Sequence, residues 1–287
     1  MEIALMDQQV TTEAVPEVIY RHARSTRVTH WINVLCIIFL LMSGMQIFNA
    51  HPALYWGQKG ADADPAAFEI GAEATDTAHP IGFVRAGKLK VSTTGVLGWS
   101  KEQGGSAARA FPAWLTVPRF RDLASGRRWH FFWAWALVLN GLVYLGFGVA
   151  NRHISRDLFP TRIELRPSHI LHDIAQHARL RFPRGEAAKR YNVLQKLAYV
   201  GVIFLILPVM VLSGLTMSPG FDSAAPWLLD LFGGRQSART IHFITANLVV
   251  AFIAVHLAMV LLAGPINEVR SMITGRYEIR PETEQPS

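Results

Sequence analysis

Between Ile241 and Ile266 the chain reads IHFITANLVVAFIAVHLAMVLLAGPI, a run without a single Asp, Glu, Lys or Arg. Crossing the hydrocarbon core of a bilayer takes about 20 apolar residues at a rise of about 1.5 Å each, so this run is long enough to span. It carries two histidines, His242 and His256. Their spacing, at about 100° per residue, is close to four whole turns and puts both imidazoles on one helix face about 21 Å apart along the axis. Ionisable groups inside a bilayer are costly and mark function. One helix thus offers two candidate ligands at two depths.

Three further blocks share this character: Trp31–Phe48, Trp129–Ala150 and Leu197–Met217. Charged residues make up 17% of the 287-residue chain, against roughly 25% in soluble domains, and mean hydropathy is +0.22. The expected fold is an all-α membrane protein, a four-transmembrane-helix bundle. It forms one domain, 1–287, with spans at about 31–48, 129–150, 197–217 and 241–266. A soluble alternative needs four all-round apolar helices in one small core. The first block follows a polar leader of about thirty residues and has no small-x-small site after it, so it does not read as a cleavable signal.

The formal charge of +7 reads as membrane topology, not nucleic-acid binding. Arg21, Arg24 and Arg27 precede the first block. Arg152, Arg156, Arg162, Arg166, Arg179, Arg181, Arg184, Lys189 and Arg190 lie between the second and third, and Arg270, Arg276 and Arg280 follow the fourth. The positive-inside rule puts these regions in the cytoplasm. Both termini are then cytoplasmic, 151–195 is a cytoplasmic segment, and 51–128 is an outer cap, which at a bacterial inner membrane, as the family resemblance below implies, is periplasmic. The cap carries ten basic residues, but its length weakens the rule there, and acidic residues such as Asp62, Asp64, Glu69, Glu73, Asp76, Glu102 and Asp122 offset them. The single cysteine, Cys36, sits in the first block. It reads as inert packing, and no cysteine set exists for a zinc, iron–sulfur or covalent haem site.

The cap contains Trp56, Phe68, Phe83, Trp99, Phe111, Trp114 and Phe120, too many rings for a disordered linker. It reads either as a folded cap, able to dock a partner, or as an irregular loop on the headgroups. On the inner side, Ile170, Leu171, Ile174, Ala178 and Leu180 approximate a helical stripe with Ser168 as N-cap, suited to lying on membrane lipids. His169, His172 and His177 there are ligand material or solvated interfacial histidines.

Of eleven histidines, His30, His130, His242 and His256 lie in or at the edges of the apolar blocks. Topology pairs them by depth: inner His30 with His256, outer His130 with His242. Bundle cores build cofactor sites from facing helices in this way. Zinc needs about four protein ligands at one depth, which neither pair offers. Haem needs two axial imidazoles and brings its own macrocycle, so two haems are expected. Gly44 and Gly214, which follow Ser43 and Ser213, either admit a flat ring or let helices pack closely. The alternative for the histidines is that each bonds a backbone carbonyl or lines a proton path.

Several motifs carry a family resemblance. Arg27-Val28-Thr29-His30-Trp31 is similar to the Arg-x-x-His-Trp that opens the first span of the bacterial cytochrome b561 / nickel–iron hydrogenase cytochrome b family, which includes formate dehydrogenase gamma subunits. Gly126-Arg127-Arg128-Trp129-His130 resembles its second-span ligand motif, and the His242–His256 spacing resembles its two-ligand fourth helix. Tyr191-Asn192-Val193-Leu194-Gln195-Lys196 resembles the Tyr-Asn-x-Gly-Gln-Lys opening the third span, with Leu194 in place of Gly. The resemblance covers the spans and not the cap. It implies two b haems and a quinone as exchangeable carrier, with Asn192, Gln195 and Lys196 at the quinone site; for Asn192 helix capping is the competing role. It also implies a periplasmic oxidoreductase partner of molybdopterin, hydrogenase or formate dehydrogenase type.

The function expected is an electron-transfer subunit between that partner and the quinone pool, not a stand-alone enzyme. The competing readings are a self-sufficient quinone oxidoreductase with a small periplasmic donor, and a non-redox membrane anchor or transporter.

Overall fold

The computed structural model describes residues 17–61, 64–74, 80–102, 104–179 and 191–279. Asp62, Asp76, Leu180, Arg181, Arg184, Lys189, Arg190 and Arg280, used above, lie outside the described residues. A short strand β1 (Glu17–Tyr20) leads into helix α1 (Arg24–Phe48). Strands β2 (Ala53–Leu54), β3 (Phe68–Ala74), β4 (Pro80–Ala86), β5 (Leu89–Ser92), β6 (Trp99–Glu102) and β7 (Gly105–Ala108) follow, then α2 (Leu123–Ala150). Helix α3 (Pro167–Ala178) precedes a composite helix made of α4 (Val193–Gly201), a π turn and α5 (Leu207–Leu215). Short helices α6 (Pro219–Ala224) and α7 (Pro226–Leu231) lead to α8 (Arg235–Ala263), α9 (Pro265–Thr274) and β8 (Arg276–Ile279), which pairs antiparallel with β1.

Among the described residues, four helices are long and apolar enough to cross a membrane: α1, α2, the composite Val193–Leu215, and α8. Leu139, Leu142, Val149, Leu205, Val255 and Leu261 are exposed on them, as side chains that face lipid are. The helices start before their apolar blocks because a helix continues into the headgroup zone, where polar side chains are solvated. The fourth stops at Ala263, short of the expected Ile266. Gly264 there adopts φ 114°, and Pro265 has no N–H to extend the ladder. In the third span Pro208, which also lacks an N–H, lies two residues after the π turn Val202–Ile206, and the helix continues through it. Asp122 caps α2 by accepting from the Ser125 amide at 3.1 Å. In α3 the N-cap is Arg166 with Pro167 at the first helical position, not Ser168, because proline's fixed φ suits the first turn.

The all-α expectation is corrected in the segment between the first two spans. Strands β2-β3-β4-β5 form an antiparallel sheet, and β6 and β7 a separate hairpin. In β3, Ile70 is buried between the more open Glu69 and Gly71, and in β4 Gly82 and Phe83 are both buried. The sheet's core joins Leu54, Ile70 and Ala110 to Phe48 at the end of α1, with Phe243 of α8 packed against it. The Phe48 and Phe243 rings stack at 4.9 Å.

Hydrogen bonds fasten this cap to α1 and α8. Asn49 exchanges two bonds with the Phe111 backbone, at 2.7 and 3.2 Å. Gln46 donates to Phe120 O at 2.9 Å. The carbonyl of Gly57 accepts the Gln236 and Ser237 amides, two donors that the first turn of α8 cannot satisfy internally. Arg239 donates to the carbonyls of Ala53 and His51, and Thr240 to Tyr55 O at 2.6 Å.

Candidate functional site

The bundle brings the four intramembrane histidines together in two pairs. On the cap side, His130 of α2 and His242 of α8 have ring centroids 6.2 Å apart at 67°. On the far side, His30 of α1 and His256 of α8 lie 6.4 Å apart at 58°. Two imidazoles bound to opposite faces of one metal, at about 2.0–2.1 Å through nitrogen and roughly 1.1 Å from nitrogen to ring centre, have centroids about 6.3 Å apart. Both pairs have that spacing. Among the described residues, no cluster of three or more His, Cys, Asp or Glu suited to a metal occurs. A metal between either pair would therefore take its other ligands from a non-protein group, as a porphyrin provides.

The cap-side rings are oriented by serines. Ser43 Oγ lies 3.0 Å from His130 Nδ1. Ser213 Oγ lies 3.3 Å from His242 Nδ1, which also donates to Met210 O at 2.9 Å. The glycines beside them face the same rings: a Cβ on Gly44 would meet His130 Cε1 at 3.4 Å, and one on Gly214 would meet His242 Cε1 at 3.1 Å. Space is kept there for an imidazole.

The far-side pair is held differently. Phe252 stacks on His256 at 5.9 Å and 14°, and Trp31 meets His30 edge-on at 5.3 Å. His30 Nδ1 is buried and has no hydrogen-bond partner among the described residues. Asn140 of α2 donates to Thr29 O at 2.8 Å and to Asn33 Oδ1 at 2.7 Å, tying α2 to α1 beside His30. Arg27 and Trp31, one turn apart, donate to Ile273 O and Met272 O. These are terminal carbonyls of α9 that lack intrahelical partners, so two side chains flanking His30 cap a neighbouring helix.

Asn192, Gln195 and Lys196 come together at the head of the third span. Asn192 Oδ1 accepts the Gln195 amide at 2.9 Å and Gln195 Oε1 accepts the Asn192 amide at 3.3 Å, a capping box. Asn192 Nδ2 faces His177 Nε2 at 3.1 Å. Lys196, 7% exposed, pairs with Glu164 at 2.8 Å. A file of ring contacts, Tyr191–Tyr199–Phe252–His256, links this head to the far-side pair. His22, 8% exposed, meets the Tyr191 hydroxyl at 3.4 Å. Burial, then Arg21, pushes the His22 imidazole down to about 4, and burial raises the Tyr191 phenol. Both are neutral near pH 7. On α3, His169 and His172 are exposed and His177 bonds Asp173 O at 2.8 Å.

Ser43, Ser213, Asn140 and Phe252 were not singled out by sequence reasoning as functional. Two signals were available: the Ser-Gly step repeated in two apolar helices, and Asn140 as a lone amide in a span.

The sequence matches the family of prokaryotic cytochrome b561 over residues 21–275. It is 30% identical over 241 residues, 84% of this chain and 90% of the relative, to a protein of Azospira oryzae provisionally named protein-methionine-sulfoxide reductase subunit YedZ1. No solved structure matches.

Proposed function

Because the chain belongs to the prokaryotic cytochrome b561 family, and is thus a membrane b-type cytochrome of electron transport, we propose that it binds two b haems, one between each histidine pair. The observation that carries this is the pair of imidazole separations, 6.2 and 6.4 Å, both suited to one metal between two rings. Haem, when bound, supplies an iron that takes up and releases one electron at a time. His130 and His242 would hold the group on the cap side and His30 and His256 on the far side, with apolar spans that exclude water from both. Gly44 and Gly214 would let their helices pack closely on the ligand rings.

In this reading the cap is periplasmic, both termini are cytoplasmic, and the four spans with their cap act as one domain. The cap is where an oxidoreductase partner docks; the naming of the Azospira oryzae relative as a subunit of a reductase supports a partner of that kind. The far end exchanges electrons with a quinone near Asn192, whose Nδ2 can turn from His177 to a quinone carbonyl. The ring file from Tyr191 to His256 supports that location. The chain is then an electron-transfer subunit and not a complete enzyme.

Haem counting by pyridine haemochrome tests the assignment. The purified chain should hold two haems; His130→Ala or His242→Ala should leave one, as should His30→Ala or His256→Ala, while His172→Ala should leave two. One haem in the unaltered protein, or a haem lost with His172, overturns it.

A further inference from the structure

Each cap-side histidine is held by the same local device, and the device occurs twice. On α1, Ser43 Oγ lies 2.6 Å from Phe39 O, 3.2 Å from Leu40 O and 3.0 Å from His130 Nδ1. A hydroxyl has one proton and a carbonyl only accepts, so that proton goes to the helix and the oxygen lone pairs face the ring. His130 Nδ1 then carries hydrogen and donates it to the Ser43 oxygen. On α5, Ser213 Oγ donates to Met210 O at 3.1 Å, and His242 Nδ1 donates to the same carbonyl at 2.9 Å with Ser213 Oγ at 3.3 Å. Leu40 and Met210 both stand three residues before their serine, and each serine precedes the glycine that makes room for the ring. Among the described residues the far-side pair has no such device. His30 Nδ1 meets no acceptor among the described residues, and His256 packs on the Phe252 ring.

We propose that Ser43 and Ser213 are positioning residues that hold both cap-side histidines as Nδ1–H tautomers, with Nε2 left for iron, and thereby make the cap-side site the lower in reduction potential. The proposal rests on the axial-ligand reading above. Donation from Nδ1 to an acceptor raises the basicity of the opposite nitrogen, and a more basic axial ligand favours the oxidised iron, a recognised lever on haem potentials. With acceptors on both cap-side rings the effect adds. An electron delivered at the cap side then moves to the far side downhill in free energy.

A potentiometric titration of the purified full-length protein, with haem counted on each sample, tests this. Two midpoints are expected. His242→Ala, retaining only the far-side haem, should show the higher one alone. Ser43→Ala and Ser213→Ala should each keep two haems and move the lower midpoint upward while the higher one stays; Ser43→Thr, which restores a hydroxyl, should return it. Two haems with unmoved midpoints in both Ala variants overturn the proposal, as does a His242→Ala protein that shows the lower midpoint. If the Ala variants shed the cap-side haem, retention at the native midpoint in Ser43→Thr and Ser213→Thr upholds the hydroxyl's role, and its loss there overturns it. Two haems in all four His→Ala variants would instead remove the ligand reading itself.

Discussion

The two glycines beside the cap-side rings differ by a few tenths of an ångström, and that difference has a consequence. A methyl at position 44 would sit 3.4 Å from His130 Cε1, an ordinary contact, whereas one at 214 would sit 3.1 Å from His242 Cε1. His242 cannot give way easily, because its Nδ1 is bonded to Met210 O. Gly214→Ala should therefore reduce cap-side haem occupancy, while Gly44→Ala should leave two haems; equal occupancy in both would show that His242 is freer than its bonds imply. At the far side, Asn140→Ala removes two donors to buried acceptors and should cost about 1–3 kcal/mol of stability, visible as a lower unfolding temperature. His22 gives the pH dependence. Its folded pKa of about 4 lies below its unfolded 6.5, so the unfolded chain binds the extra proton first as pH falls. Stability contributed by neutral His22 is present above pH 6.5, declines between 6.5 and 4, and levels off below. Melting curves across that window should flatten in His22→Gln.

At the scale of elements, the third span depends on its first turn. The capping box of Asn192 and Gln195 satisfies two amides at the head of α4, and Asn192→Ala should weaken that turn by about 1 kcal/mol. If Nδ2 also serves a quinone carbonyl, the same variant should keep both haems and slow haem reduction by a quinol analogue in stopped flow. An unchanged rate in a fully loaded protein places the quinone elsewhere and leaves the capping role intact. Helix α9 depends on α1 in a comparable way, since Arg27 and Trp31 occupy its terminal carbonyls. Trp31→Phe keeps the ring and removes the donor. Amide exchange should then speed up in α9 and not in α2.

Across the whole molecule, the cap is a clamp on the two helices that it joins. Arg109, 3% exposed, reaches Glu102 and Arg119 O through Nη1, each at 3.0 Å, and Gln46 and Thr116 through Nη2 at 2.7 and 2.8 Å. Hydrogen bonding to Arg121, with the charges of Arg121 and Arg109, holds the Glu102 carboxyl below its usual range. Without Arg109, Glu102 keeps Arg121, but Gln46 Oε1 and the Thr116 hydroxyl lose a buried donor, and a buried acceptor left unsatisfied costs about 1–3 kcal/mol. Arg109→Met should lower the unfolding temperature and loosen the cap to protease while the far-side haem stays bound. Loss of both haems together would mean that the bundle cannot hold without its cap.

Hydropathy and helical periodicity are local quantities, so the sequence alone determined the four apolar helices and the shared face of His242 and His256. The opening motifs around His30 and His130 identified the family for the same reason: each is contiguous. The cap's strands were hidden because their alternation is broken by Gly and Pro turns, and a sheet's register depends on strands that pair at a distance. What tertiary structure decided are contacts between residues far apart in the chain. Ser43 finds His130 across 87 positions and Arg27 finds Ile273 across 246. No local pattern encodes which carbonyl or hydroxyl a buried imidazole meets, because that depends on how the helices rotate against one another when the spans pack.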